Sequence, residues 1–262
     1  MDEPAILLTN DDGIDATGLG VLRDALSEVG HVSVVAPADD QSAVGRALSH
    51  SVTVREHELG CAIDGTPADC VIAGLETLAP ETDLVVAGCN RGANIGAYTL
   101  GRSGTVSAAV EATFFGMPAI AASLYVPVVA DTAYEDVDVG ADHYAEAARA
   151  TRYLVDHAVE AGVFEQADYL NVNAPVATKA TGEMVVTRPS RVHRMEAERT
   201  DRTVTLTDTI WDAMASGDIP DPEGTDRREV VEGRVSVSPL TAPHTTEHHE
   251  ALDGLVEAFP AR

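Results

Sequence analysis

The chain has 262 residues, with 43 acidic against 17 basic side chains for a formal charge of -26, and 45% of it is apolar. That apolar share excludes a disordered chain and the length allows a sizeable core, while the charge excludes binding of nucleic acid polymers or anionic membranes by charge attraction. Lys179 is the single lysine, and a surface this acidic predicts a protein adapted to concentrated salt, where its self-repulsion is screened. Cys61, Cys70 and Cys89 form no C-x-x-C, so reduced thiols in a cytoplasm are expected rather than disulfides or a zinc cage. No stretch approaches the roughly 18 apolar residues of a membrane span, and no basic start precedes an apolar signal segment. A soluble, cytoplasmic protein is expected.

In chain order, Ala5 to Thr9 is an apolar run stopped by Asn10-Asp11-Asp12-Gly13, which reads as a buried parallel strand. Leu19, Leu22, Leu26 and Val29 recur at helical spacing, with Gly30 expected to close the helix. Val32 to Ala36 is a second strand, ended by Pro37. Val52 to His57 is expected to pair with Cys61–Ile63 as a hairpin. Thr66 is a candidate N-cap with Pro67 at the first helical position. Asp83 to Ala87 is a third buried strand, followed by a glycine-rich loop from Gly88 to Gly104. Val106, Ala109, Val110 and Thr113 mark a helix, and Pro118 to Ser123 a fourth buried strand.

The second half is less regular. Tyr144, Ala147, Thr151, Leu154, Val155 and Ala158 predict an amphipathic helix, and Tyr169–Asn173 and Met184–Thr187 predict strands. Residues 189 to 226 are polar and irregular, with Val204–Thr209 alternating like an edge strand. Val235, Val237 and Leu240 give a last strand, and Leu252, Val256 and Phe259 a closing helix. Strands alternating with helices imply βαβ units: an α/β, Rossmann-like fold with a mostly parallel sheet and helices on both faces, plus a C-terminal β-rich extension. One domain over 1–262 is expected, with about 189–240 as the extension. Ligands of such sheets sit beyond the C-terminal strand ends.

Three polar clusters lie just there. Asp11 and Asp12 follow the first strand, and two adjacent carboxylates repel unless a countercharge sits nearby; hard divalent cations prefer such oxygen ligands. N-D-D-G is equally a good turn sequence. Asp39-Asp40-Gln41-Ser42 follows the second strand, offering a hydroxyl that could ligate a metal, touch phosphate or simply cap the loop. Asn90, Arg91, Asn94 and several glycines follow the third strand, and Ser103-Gly104-Thr105 opens a helix whose free amides suit an anion. Arg91 and Arg102 could add positive charge or act as surface ion-pair residues. Of nine histidines, His193, His244, His248 and His249 stand in polar surroundings and read as surface groups.

ILLTNDDGIDATGL (6–19), VVAPADDQSAVG (34–45), DGTPADCV (64–71), DLVVAGCNRGANIG (83–96), SGTVSAAVEA (103–112) and PAIAAS (118–123) together resemble the SurE family of 5′-nucleotidases. LNVNAP (170–175), GTD (224–226) and GRVSVSPL (233–240) resemble later family segments. Thr17 stands where the family usually has proline, Ala87-Gly88-Cys89 where Ser-Gly-Ile is commoner, and 191–224 matches poorly. The resemblance implies a Rossmann-like core and metal-dependent hydrolysis of nucleoside 5′-monophosphates, with 3′-monophosphates a further option. It implies dimers or tetramers built by exchange of C-terminal segments.

By position in these motifs, the resemblance places one divalent ion per subunit, Mg²⁺ or Mn²⁺, on Asp11, Asp12, Ser42 and Asn90. It places Asn94, Ser103, Gly104 and Thr105 against substrate phosphate, and makes Asp11 and Asp12 the catalytic pair. Asp12 is the expected acceptor of the water's proton. A non-catalytic nucleotide- or metal-sensing module is the alternative. An aspartyl-phosphate enzyme would want D-x-D here, and a dinucleotide oxidoreductase G-x-G-x-x-G.

Overall fold

A computed structural model describes residues 3–127, 134 and 137–242. The expected closing helix, with His244, His248 and His249, lies outside the described residues. The first strand, β1 (Ala5–Thr9), occupies the residues expected and is buried along nearly its whole length. Ile6 and Leu8 enter one apolar cluster while Leu7, between them, enters another. The alternation of a strand sends neighbours to opposite faces, so a continuous apolar run is what a strand covered on both sides requires. Each of these fully buried side chains contributes about 1.5–3 kcal/mol.

Around β1 the sheet is assembled from β2 (His31–Pro37), β3 (Val54–His57), β4 (Gly60–Ile63), β5 (Leu84–Arg91), β6 (Ala119–Tyr125), β7 (Tyr169–Pro175), β8 (Met184–Val186) and β11 (Val235–Leu240). Their order is β3-β4-β2-β1-β5-β6-β7-β11-β8. From β4 to β7 every pairing is parallel; β3 and β11 run antiparallel to β4 and β7. The chain leaves β1 for β2 on one side and returns through β5 on the other. That reversal is the switch point at which doubly wound sheets open a crevice.

Helices α1 (Thr17–Leu26) and α5 (Ala145–His157) pack together on one face, and α2 (Pro67–Ala73) and α4 (Gly104–Phe114) on the other. Thr66 caps α2 as expected, its hydroxyl accepting the Asp69 amide while the Asp69 carboxylate accepts the Thr66 amide. Helix α1 ends at Leu26, short of Gly30. Gly30 instead lets two segments touch, because a Cβ there would stand 2.6 Å from the Pro4 carbonyl oxygen.

Two expectations change. Strand β5 runs on to Arg91 past a register shift between Ala87 and Asn90, so the first residues of the expected loop are strand. The remainder holds a short helix, α3 (Ala97–Leu100). Second, the stretch after Pro189 is more ordered than expected: the edge strand expected at Val204–Thr209 is β10 (Thr203–Asp208), and it pairs antiparallel with β9 (Met195–Thr200), a strand not expected. This hairpin is followed by α6 (Ile210–Ser216) and α7 (Asp226–Val231). No helix among the described residues is long and apolar enough to cross a membrane.

Candidate active site

The acidic pair stands at the C-terminal end of β1, between the loops after β2 and β5. The turn 10–13 is closed by Asn10, whose side-chain amide donates to the Gly13 carbonyl at 2.7 Å. The neighbouring loop is stitched to it by backbone: Gln41 N–H donates to Asp11 O at 2.7 Å, and Ile14 N–H to Pro37 O at 2.8 Å. This brings Ser42, exposed and with its amide on Asp40 Oδ1 at 2.7 Å, to the rim of the same crevice. From the other side, Arg91 N–H donates to Asp12 Oδ2 at 2.7 Å. Asn90 is therefore one residue from contact with the pair, and its amide nitrogen is fixed on Gly92 O at 2.6 Å.

Asp11 is nearly fully buried, 3% exposed, and faces the N-terminus of α4. The hydroxyl of Thr105 donates to its carboxylate. Gly104 makes the approach possible: a Cβ there would lie 2.7 Å from the Asp11 Cβ. Burial raises the Asp11 carboxyl above its ordinary value against the pull of the Thr105 donors, and Asp40 adds to the rise. Burial, then the charge of Asp11, push Asp12 up to about 7. Like charges this close and this dry need a counterion.

The donor set fits a hard divalent cation. It comprises two carboxylates, of which Asp12 has one oxygen without a donor among the described residues, an exposed serine hydroxyl, and an asparagine oxygen whose nitrogen partner is already satisfied. Among the described residues no cluster of three or more His, Cys, Asp or Glu forms, as a site of two acids and two neutral oxygens would not.

The other expected residues divide. Thr105 and Gly104 stand directly against Asp11. Ser103 caps α4, accepting the Val106 amide at 3.1 Å. Asn94 is a buried node: its side-chain amide donates to Ser123 Oγ at 2.9 Å, its backbone amide to Asn173 Oδ1 at 2.8 Å, and its carbonyl accepts from Asn171 and Asn173. Arg91 does bring positive charge to Asp12, whose carboxyl it lowers, and makes no ion pair among the described residues. Its guanidinium donates to Tyr134 O and Val137 O and lies 4.6 Å from the Tyr134 ring centroid. Arg102 covers the Tyr98 ring, and exposed His193 stacks on the same ring at 5.0 Å.

Sequence reasoning passed over the residues that shape the glycine-rich loop from the second half of the chain. Asp226 accepts the amides of Gly96, Ser190 and Arg227, and Arg227 pairs with Asp221 at 2.7 Å in the interior. The signal available was the short GTD segment at 224–226, which carries no periodicity.

Fold and site together define a Rossmann-like α/β protein with an oxygen-lined crevice at its switch point. The profile of the family described as Survival protein SurE matches residues 6–196, and the chain belongs to that family. It is 68% identical over 259 residues to a protein of Haloarcula marismortui named 5′-nucleotidase SurE, spanning 99% of this chain and 96% of the relative. A like-named protein of Haloquadratum walsbyi is 61% identical over 256 residues, 97% of each chain. These relatives come from halophilic archaea, in keeping with the acidic composition. The crystal structure of the SurE protein from Aquifex aeolicus superposes with a TM-score of 0.72 at 32% identity, over 90% of this chain and 93% of that one.

Proposed function

We propose that the chain is a 5′-nucleotidase that hydrolyses nucleoside monophosphates with one Mg²⁺ or Mn²⁺ held by Asp11, Asp12, Ser42 and Asn90. The observation that carries this reading is the acidic pair at the end of β1, with Asp11 buried against the first turn of α4 and Asp12 half-buried beside the loop after β5. The same name on relatives that share most of this chain's sequence supports it. A bound divalent ion would polarise the phosphoryl group and activate a water.

The chain's own residues supply the rest. Thr105 fixes the rotamer of Asp11, and the Arg91 amide fixes that of Asp12. The carboxylate of Asp12 is the proposed acceptor for the water's proton. At the first position of α4 the Gly104 amide has no intrahelical acceptor and, with the helix dipole, would meet negative charge on the phosphoryl oxygens. Ser103 would contribute by shaping that turn. Asn94 has one amide hydrogen left after Ser123, and that hydrogen is its proposed contact with phosphate.

A single domain in the cytoplasm, assembled as a homodimer or homotetramer, completes the proposal. Its support is the β9–β10 hairpin, which stands out from the sheet with Met195 41%, Val204 54% and Leu206 69% exposed. Apolar side chains on an otherwise solvated two-stranded ribbon are the expected seat of a second copy.

The test is phosphate release from a panel of 5′- and 3′-nucleotides in molar salt, with chelator and then Mg²⁺ or Mn²⁺ add-back. Release from 5′-monophosphates that the chelator abolishes and metal restores is expected. Nucleotide binding without any release would replace the enzyme with a sensing module.

A further inference from the structure

Beside the acidic pair the chain builds a cavity of ≈ 380 Å³, and its walls include Asn90, Arg91, Tyr125, Val126, Tyr134 and Trp211. This is within the roughly 300–1,000 Å³ range of small-ligand sites. Four observations describe what it would accept. First, it opens on Asn90, so a molecule whose phosphate lay at Asp11 and Asp12 would have its remainder beside this cavity. Second, three of the walls are aromatic. Third, in a chain with 43 acidic residues, no carboxylate among the described residues lines it. The one cation among its described walls, Arg91, is held in place by donating to the carbonyls of Tyr134 and Val137. Fourth, the walls are held in place: the Tyr134 hydroxyl donates to Arg91 O at 2.6 Å, and Tyr125 is 7% exposed.

Trp211 comes from α6, in the stretch that the sequence left without structure. Ile210, Ala213 and Met214 seat that helix in a cluster with Ala93, Ile95 and Tyr125. The same packing presents Trp211 to the cavity at 39% exposure. A tryptophan carried on an anchored helix, half open to an aromatic chamber without a described carboxylate, is a platform for a flat, neutral π-system.

We propose that this cavity receives the base of the nucleotide and that Trp211 is the residue on which it stacks, making Trp211 a determinant of nucleotides over base-free phosphate esters. This rests on the nucleotidase reading for the placement of the phosphate, and the experiment separates the two. Hydrolysis of AMP and of ribose 5-phosphate is compared in wild type, Trp211→Ala and Trp211→Phe, in molar KCl with Mg²⁺. Trp211→Ala should raise KM for AMP about tenfold with kcat within about twofold, as loss of one base-stacking contact predicts. Ribose 5-phosphate should change by less than about twofold, and Trp211→Phe should recover most of the loss for AMP.

Because Trp211 is the chain's single tryptophan, its fluorescence gives a second readout that needs no turnover. Adenosine should quench it saturably in wild type, and ribose should not. Equal effects of Trp211→Ala on both substrates, or no effect on either, would overturn the proposal while leaving the nucleotidase reading intact. If neither ester is hydrolysed, the nucleotidase reading fails, and adenosine quenching alone decides: saturable quenching keeps the base site, and its absence removes it.

Discussion

The carboxylate of Asp226 accepts the amide of Gly96 at 2.7 Å, joining residues 130 apart in the chain. Through this bond the short helix α7 fixes the far end of the glycine-rich segment that begins at Asn90. The other Asp226 oxygen holds Ser190 and Arg227, so one buried acid sets the entry to the β9–β10 extension as well. Burial raises the Asp226 carboxyl despite these donors, and the neighbouring Arg227 opposes the rise. Replacing Asp226 with Ala strands three amide donors in the interior. A loss of about 3 kcal/mol or more is expected, read as a lower melting temperature in molar salt. A variant that melts with wild type would show that these amides find other acceptors.

Asp12 lends itself to a sharper experiment, because its predicted effects on folding and on metal response have opposite signs. In chelator, Asp12→Asn should melt at or above wild type, since it relieves repulsion from buried Asp11. On addition of Mn²⁺ the wild type should gain about 2.7 kcal/mol at a hundred times the dissociation constant, and the variant far less. Phosphate release should fall by about a hundredfold or more. Equal stabilisation of both proteins by Mn²⁺ would take Asp12 out of the ligand set.

Asp69 governs a response to acid. Burial alone would raise its carboxyl, but the amides of Ser49 and Thr66, each at 2.8 Å, outweigh it and hold the group below its ordinary value of 3.8. A depressed carboxyl contributes stability that is fully present above the unfolded value and is lost as pH falls through the folded one. Asp69→Asn should therefore cost about 1 kcal/mol at neutral pH, as loss of a capping-box acceptor does, with the difference closing below pH ~4. Denaturant unfolding of both proteins across pH supplies the measurement; a gap that widens toward acid would contradict the sign.

Salt dependence follows from the formal charge of -26. Screening weakens repulsion between surface carboxylates as the Debye length drops from about 10 Å at 0.1 M to about 3 Å at 1 M. The melting temperature should rise over that interval and beyond. A steady fall from low to molar salt would refute adaptation to a salt-rich interior.

Most of the first half could be read from residues alone. Ala5–Thr9 and the Thr66 cap stand in the structure where local pattern put them, and the hairpin strand expected at Val52–His57 forms over Val54–His57. A strand buried on both faces needs an unbroken apolar run, and a cap needs a particular side chain one residue before the helix. Both are local requirements, and sequence states local requirements directly. Ser42, Asn90 and the acidic pair were likewise visible as polar clusters following strands.

What tertiary structure alone decided lies where the stabilising partner is distant. Met195–Thr200 carries no apolar alternation, so its strand exists because β10 pairs with it; α6 and α7 are too short to announce themselves and form because Ala93, Tyr125 and Gly96 await them. No local pattern shows that the Arg91 guanidinium holds the Tyr134 and Val137 carbonyls, or that α6 carries Trp211 to the cavity beside Asn90. The sequence by itself determined the buried parallel strands and the oxygen-rich strand ends, because hydrophobic period and turn chemistry act over a few residues. Which walls surround those ends was settled by contacts between segments that share no local code.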